Sequence, residues 1–181
     1  MKWALKNNLI FIGYMGCGKT SVGKCLAGKL GTAFLDTDQW IEEQQGCMIS
    51  TIFSTQGEEA FRNMETDCLR TFLDQEIEGV IAVGGGLPLR EENRKLLNRL
   101  GKVIYLRVQP ETVYERLKAD TTRPLLQTAD PKETIKEMLK LREVAYMAAA
   151  DVVVEADRKI PEELAAEIIC RVLNGETKKW E

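Results

Sequence analysis

The strongest chemical signal in this 181-residue chain is the run Gly13-Tyr14-Met15-Gly16-Cys17-Gly18-Lys19-Thr20, which has the spacing G-x-x-x-x-G-K-T. Glycines at that spacing let backbone N–H groups turn inward around phosphate oxygens. Lys19 sets a point charge on the β- and γ-phosphates, and the Thr20 hydroxyl can ligate Mg²⁺. A glycine-rich turn that merely precedes Lys-Thr would match the same string. The flanks decide between the two readings. Leu9-Ile10-Phe11-Ile12 reads as a buried strand, and Ser21 to Leu30 carries apolar residues at helical spacing. Strand, glycine loop and helix together make a phosphate site, to which the helix adds its free N–H groups and positive end.

Four further groups suit phosphoryl-transfer chemistry, each with a plainer reading beside it. Asp36 and Asp38 are two residues apart; if locally extended, they point to one side. One would bind Mg²⁺ and the other would orient or deprotonate a hydroxyl, while a helix N-cap is the plainer role. Gly84-Gly85-Gly86 follows an apolar run, and three glycines exceed what a turn needs, so a ligand approaching the backbone is the better reading. Arg62 lies between Phe61 and Met64, and Glu65 three residues on can pair with it. Periodicity alone leaves Arg62 balanced between a solvated arginine and a functional one, and leaves Arg142 on the surface. Arg123 sits in a loop with no clear period, 120–130, which reads as a lid whose arginine reaches a transferring phosphoryl group. Cys17 reads as a small residue tolerated in the loop.

These groups need a scaffold that brings them together. Apolar runs at Ala33–Asp36, Val80–Val83, Val103–Leu106 and Val152–Val154 join the first strand to make five. Helical patterns lie between them, at 39–45, 51–55, from Gly57 to Leu73, 90–100, 111–119, 131–148 and 161–173. In the helix after Gly57 the apolar stripe is Ala60, Phe61, Met64, Cys68, Leu69, Phe72 and Leu73, with Arg62 and Glu65 assigned off it. Alternation of this kind predicts an α/β fold: a parallel five-stranded sheet with helices on both faces. Ligands bind beyond the carboxyl ends of such strands, where the glycine loop, Asp36–Asp38 and Gly84–Gly86 all fall.

Composition removes several classes of function. There is no histidine, so Ser-His and Cys-His catalysis and histidine metal sites are excluded. Acid–base work falls to carboxylates, Lys or Tyr. Five scattered cysteines without a C-x-x-C pair fit reduced thiols in a cytoplasmic protein. A net charge of −3 gives no bulk attraction to nucleic acid or to an acidic membrane. No apolar run approaches a membrane span. The first strand begins almost at once, which leaves no room for a leader peptide. The expectation is one domain over 1–181.

The assembled motifs resemble those of the shikimate kinase family over nearly the whole chain. They are G-Y-M-G-C-G-K-T-S-V-G at 13–23, D-T-D at 36–38, G-E-E-A-F-R-N-M-E at 57–65, G-G-G at 84–86, R-P-L-L at 123–126, R-E-V-A-Y at 142–146 and then Ala150-Asp151. The resemblance implies a nucleoside-monophosphate-kinase-like fold with a substrate-binding segment at about 37–65 and a lid at about 119–130. It implies transfer of the ATP γ-phosphoryl group to the 3-hydroxyl of shikimate, giving ADP and shikimate 3-phosphate on the way to chorismate. ATP would be held by Gly16, Cys17, Gly18, Lys19, Thr20, Ser21 and Arg123, with Arg158 and Lys159 on the adenine side. Mg²⁺ would sit at Thr20 and Asp36. Shikimate would be held by Asp38, Arg62, Gly84, Gly85, Gly86 and Arg142. Lys19, Asp38 and Arg123 would be catalytic, with Asp38 the base, and the family default is a monomer. Rival readings are a gluconate or nucleoside monophosphate kinase of the same fold, a GTP-dependent switch, and a catalytically dead homologue. The chain lacks N-K-x-D and D-x-x-G, which a GTP switch would use, and it keeps Lys19, Asp38 and Arg123, whose loss would mark a dead homologue.

Overall fold

The computed structural model describes residues 8–118 and 130–173. Five strands form one sheet: β1 (Asn8–Ile12), β2 (Phe34–Asp36), β3 (Val80–Ala82), β4 (Gly101–Arg107) and β5 (Val152–Glu155). Their order is β2-β3-β1-β4-β5, and every pairing is parallel. The helices are α1 (Lys19–Leu30), α2 (Thr37–Gln45), α3 (Ile49–Asp74), α4 (Glu91–Leu100), α5 (Pro110–Leu117), α6 (Pro131–Ala149) and α7 (Pro161–Leu173). A short 3₁₀ turn, Leu87–Leu89, was not legible as a separate element. Among the described residues no helix is long and apolar enough to cross a membrane.

The continuous apolar runs form the strands because both faces of the sheet are covered. β1 is buried throughout, as are β3 and Val103–Leu106 of β4. Asn8 fastens the opposite, amino-terminal edge: its side-chain amide donates to the carbonyls of Ile77 and Leu100, and its oxygen accepts from the Gly79 amide at 2.6 Å. The carboxyl ends of β2, β3 and β1 finish nearly level, while β4 runs two residues past the partner of Ile12. Phe11 and Asp36 both pair with Ala82.

Several boundaries differ from expectation for identifiable reasons. α2 begins at Thr37, not Gln39, because the Asp36 carboxylate caps it by accepting from the Asp38 amide at 3.0 Å. Asp36 is itself extended and takes the N-cap role weighed for this pair, while Asp38 lies in the helical first turn, so the extended condition holds for only one of the two. The next helix begins at Ile49, not 51. Met48 is the N-cap residue, and Glu42 of α2 accepts from the Ile49 amide. Gly57 has φ 83° and ψ 171°, so α3 is two helical pieces joined at a kink, as the two separate patterns implied. Gly101 both stops α4 and starts β4. α5 ends at Leu117. The loop 120–130 falls, except for Asp130, outside the described residues, and so does Arg123.

Candidate active site

The glycine loop joins β1 to α1 beyond the carboxyl edge of the sheet. Gly16 and Gly18 have φ of 74° and 103°, left-handed values that side chains rarely adopt, and Gly18 is the N-cap of α1. Lys19 folds back over the loop, donating to the carbonyls of Gly13 at 2.8 Å and Tyr14 at 3.2 Å. Ser21 follows in the first turn of α1. Cys17 is buried within the loop, and its sulfur lies 3.9 Å from the Lys19 ammonium. Thr20 donates to Asp36 Oδ2 at 3.3 Å, which brings two hard oxygen donors together beside the loop. Among the described residues no cluster of three metal-ligating side chains exists. Two protein oxygens nevertheless suit Mg²⁺, which keeps several waters and takes the rest of its shell from phosphates.

The acceptor side is assembled over the turn after β3. None of Gly84, Gly85 and Gly86 has a positive φ, so turn geometry does not require glycine at any of them. Close approach does at Gly84 and Gly86. A Cβ on Gly84 would lie 2.7 Å from Asp38 Oδ1 and 2.7 Å from Glu65 Oε1. One on Gly85 would lie 3.4 Å from the Gly13 carbonyl and 3.7 Å from Arg142 Nη1. One on Gly86 would run into the Arg62 guanidinium, 2.6 Å from Cζ and 2.7 Å from Nη2. Gly84 thus makes room for Asp38 of α2 and Glu65 of α3, and Gly86 for Arg62 of α3, while Arg142 of α6 lies at ordinary contact distance from Gly85.

The turn itself is held from outside. Thr37 Oγ1 accepts from the Gly84 amide at 3.1 Å. Buried Asn93 donates to the Leu87 carbonyl and accepts from the Thr66 hydroxyl, tying the 3₁₀ turn to α3. Arg62 donates to Glu65 and to Glu58, both at 2.9 Å, and lies over the Phe61 ring. Arg142 stacks over the ring of fully buried Tyr14, 5.3 Å from its centroid. The acceptor half and the phosphate loop therefore meet at Arg142.

Glu65 corrects one sequence expectation. It is wholly buried and not off the apolar stripe: positions 61, 65, 68 and 72 follow four–three–four spacing and share the buried face. A carboxylate tolerates that position because Arg62 pairs with it. Burial still pushes its pKa up to about 7, with Arg62 opposing. Asp38 is pushed up to about 6, first by burial and then by Asp36, while Lys19 and Arg62 oppose. Asp38 Oδ1 and Glu65 Oε1 are buried without a hydrogen-bond partner among the described residues. Because both lie 2.7 Å from the same point above Gly84, they are no farther apart than twice that distance. Two unmet acceptors facing one small space suit a ligand that brings hydroxyl donors.

On the nucleotide side, Arg116 was missed by sequence reasoning. It reaches from α5 to the Gly16 carbonyl at 2.9 Å and the Ala156 carbonyl at 3.1 Å, joining the phosphate loop to the segment before Arg158. Arg158 has a left-handed φ of 58°. Lys159 donates from its ammonium to Glu167 of α7 at 2.6 Å.

Comparison with known proteins bears on this geometry. The family model for shikimate kinase matches residues 15–173. A shikimate kinase of Thermodesulfovibrio yellowstonii is 44% identical over 173 residues, covering 94% of this chain and 99% of the relative. Among solved structures, shikimate kinase from Acinetobacter baumannii in complex with shikimate superposes with a TM-score of 0.87 at 36% identity, over 95% of this chain and 96% of that one. A gluconokinase from Sinorhizobium meliloti reaches a TM-score of 0.57 at 16% identity, over 95% of this chain and 94% of that one, which is a likeness of fold alone.

Proposed function

The chain belongs to the shikimate kinase family, and from that premise we propose how its residues divide the transfer of the ATP γ-phosphoryl group to the 3-hydroxyl of shikimate. The observation that carries the reading is the turn at Gly84–Gly86, over which Asp38, Arg62 and Arg142 converge beside the phosphate loop. Shikimate is a small acid with three hydroxyls. Arginine forks suit its carboxylate, and Arg62 and Arg142 stand on one side of the turn's crevice as that clamp. Asp38 takes the hydroxyl.

The 3-hydroxyl oxygen attacks the γ-phosphorus, the bond to the β,γ-bridging oxygen breaks, and the hydroxyl proton passes to Asp38. ADP and shikimate 3-phosphate leave. The transition state is loose, so alignment and charge neutralisation outweigh nucleophilic chemistry. Lys19 leaves its carbonyl partners for the β- and γ-phosphates, and the amides of Gly16 to Ser21 cradle them. Thr20 and Asp36 would hold Mg²⁺, which when bound neutralises charge on those phosphates. Family resemblance assigns Arg123 to the same phosphates. We assign the whole chain to a single domain acting as a monomer, with residues 37–65 carrying the acceptor.

The test is ADP release with ATP and Mg²⁺, using shikimate beside gluconate, nucleoside monophosphates and a no-acceptor control. Turnover with shikimate alone is the expected result. Turnover with another acceptor would remove the clamp assignment at Arg62 and Arg142 and keep only the phosphate loop.

A further inference from the structure

Tyr146 is fully buried on α6, one helical turn beyond Arg142, and its hydroxyl donates to the Gly85 carbonyl at 2.6 Å. Its ring packs against Tyr105 of β4, with centroids 5.1 Å apart, so the phenol is held from behind by the sheet. The polar groups of the glycine turn divide clearly. The Gly84 amide is taken by Thr37, and the carbonyls of Gly84 and Gly86 accept from Leu87 and Leu89, each at 3.1 Å. The Gly85 carbonyl is taken by Tyr146. The amides of Gly85 and Gly86 have no hydrogen-bond partner among the described residues. A Cβ on Gly85 would lie 3.7 Å from Arg142 Nη1, and one on Gly86 would lie 2.7 Å from Arg62 Nη2, so both residues border the two guanidinium groups.

A peptide plane fixed at its oxygen is fixed at its nitrogen too. The Gly85 carbonyl and the Gly86 amide belong to one plane. Neither residue has a side chain to steer that plane, and the bond to Tyr146 is the one hydrogen bond made by its own polar groups among the described residues. We propose that Tyr146 is a positioning residue: by holding the Gly85 carbonyl it aims the Gly86 amide, between the two arginines, at the carboxylate of the acceptor. The inference rests on the carboxylate-clamp reading above and adds to it the residue that orients the Gly86 amide, one of the groups that the family resemblance already sets beside shikimate. It also gives the one-turn spacing of Arg142 and Tyr146 a purpose, since one helix face then supplies both a clamp arginine and the anchor of the neighbouring amide.

The test compares binding of shikimate and of its methyl ester, which keeps the hydroxyls and lacks the charge. Wild type, Tyr146→Phe and Tyr105→Phe are titrated by calorimetry below their melting temperatures, with ATP binding measured alongside. We expect wild type to prefer shikimate. Tyr146→Phe should lose roughly three- to tenfold of that preference, the range of one neutral hydrogen bond, while ATP affinity and binding of the ester hold steady. Tyr105→Phe, which removes a hydroxyl from the packing ring and leaves the Gly85 bond, should behave as wild type. If wild type shows no preference, the clamp reading falls and this inference with it. If wild type prefers shikimate and Tyr146→Phe keeps the whole preference, or loses affinity for acid, ester and ATP alike, Tyr146 is structural only. Amide exchange of the wild type gives a readout without a variant. Shikimate should slow exchange at Gly86 more than the ester does, and equal slowing would overturn the assignment.

Discussion

Gly86→Ala tests the close-approach reading with the least collateral damage. Gly86 has φ −90° and ψ −18°, a conformation that alanine adopts without strain. The added methyl carbon would fall 2.6 Å from Arg62 Cζ and 2.7 Å from Nη2, and nearer still to Nη1. The guanidinium, at the end of a flexible side chain, must therefore swing out while the backbone stays. Two opposing effects set stability. Restricting the unfolded chain contributes about 0.4–1 kcal/mol, and loosening Arg62 from buried Glu65 costs about 1–3 kcal/mol. The net loss should be no more than about 2.6 kcal/mol, a fall of at most roughly 10 °C for a chain of this size. Binding suffers more sharply, because a charged hydrogen bond to the acceptor is worth about 1.5–3 kcal/mol, roughly ten- to a hundredfold in affinity. The assay is KM for shikimate and for ATP on folded protein, beside a thermal melt. The expected pattern is a raised shikimate KM with the ATP KM unchanged. A shikimate KM within about twofold of wild type would mean that Arg62 does not bind the acceptor, since displacing a binding group cannot leave affinity intact.

Further outcomes follow from the same geometry. Asp38→Asn should retain ATP binding and lose most turnover; near-normal turnover would take Asp38 out of the mechanism. The acid limb of kcat/KM should fall with an apparent pKa near 6, where Asp38 takes up its proton, and a limb centred near 4 would contradict the burial argument. For stability the sign is opposite to that of an ordinary ion-paired acid. Folded Asp38 holds its proton up to about pH 6 while the unfolded side chain loses it near pH 4, so its contribution weakens as pH rises through that window. Asp38→Asn should therefore gain on wild type between pH 4 and pH 7.5, by on the order of 1–2 kcal/mol in urea unfolding; a constant difference would refute the shift. Arg142→Ala should chiefly weaken shikimate binding, and unchanged affinity would return Arg142 to a role in packing on Tyr14. Chelation should abolish turnover, and Thr20→Ala should raise the Mg²⁺ concentration required for half-maximal rate.

What could be read in the sequence was what is local. The phosphate loop is one contiguous segment whose flanking strand and helix are its own neighbours, and the buried strands announce themselves as unbroken apolar runs. The triple glycine was legible as a close approach, although what approaches from within the chain are the side chains of Asp38 and Glu65 at Gly84 and of Arg62 at Gly86. The misses are long-range or helical in phase. Tyr146 meets Gly85 across 61 positions and Arg116 meets Gly16 across 100, and no local pattern marks either. Glu65 was sorted to the wrong face because its charge outweighed its spacing; only the Arg62 pair makes a buried carboxylate affordable there. Asp38 looked extended beside Asp36 because the cap that starts α2 at Thr37 is Asp36 itself.

The two halves of the site differ in how they are built, and that difference bears on how one fold serves several acceptors. The phosphate half is one contiguous segment between β1 and α1, held from outside by Arg116 of α5 at Gly16 and by Arg142 of α6 at Tyr14. The acceptor half draws one residue from α2, two from α3 and one from α6, and all four meet the turn after β3. Exchanging those side chains leaves the residues of β1, the loop and α1 in place, so the acceptor can change while the phosphate chemistry stays. The glycines are the hinge of the argument. A methyl group at 84 or 86 would collide with the very side chains that define the acceptor, while at 85 the contacts are ordinary ones. Specificity in this crevice therefore depends as much on absent side chains as on present ones, and the strictest positions should be Gly84 and Gly86.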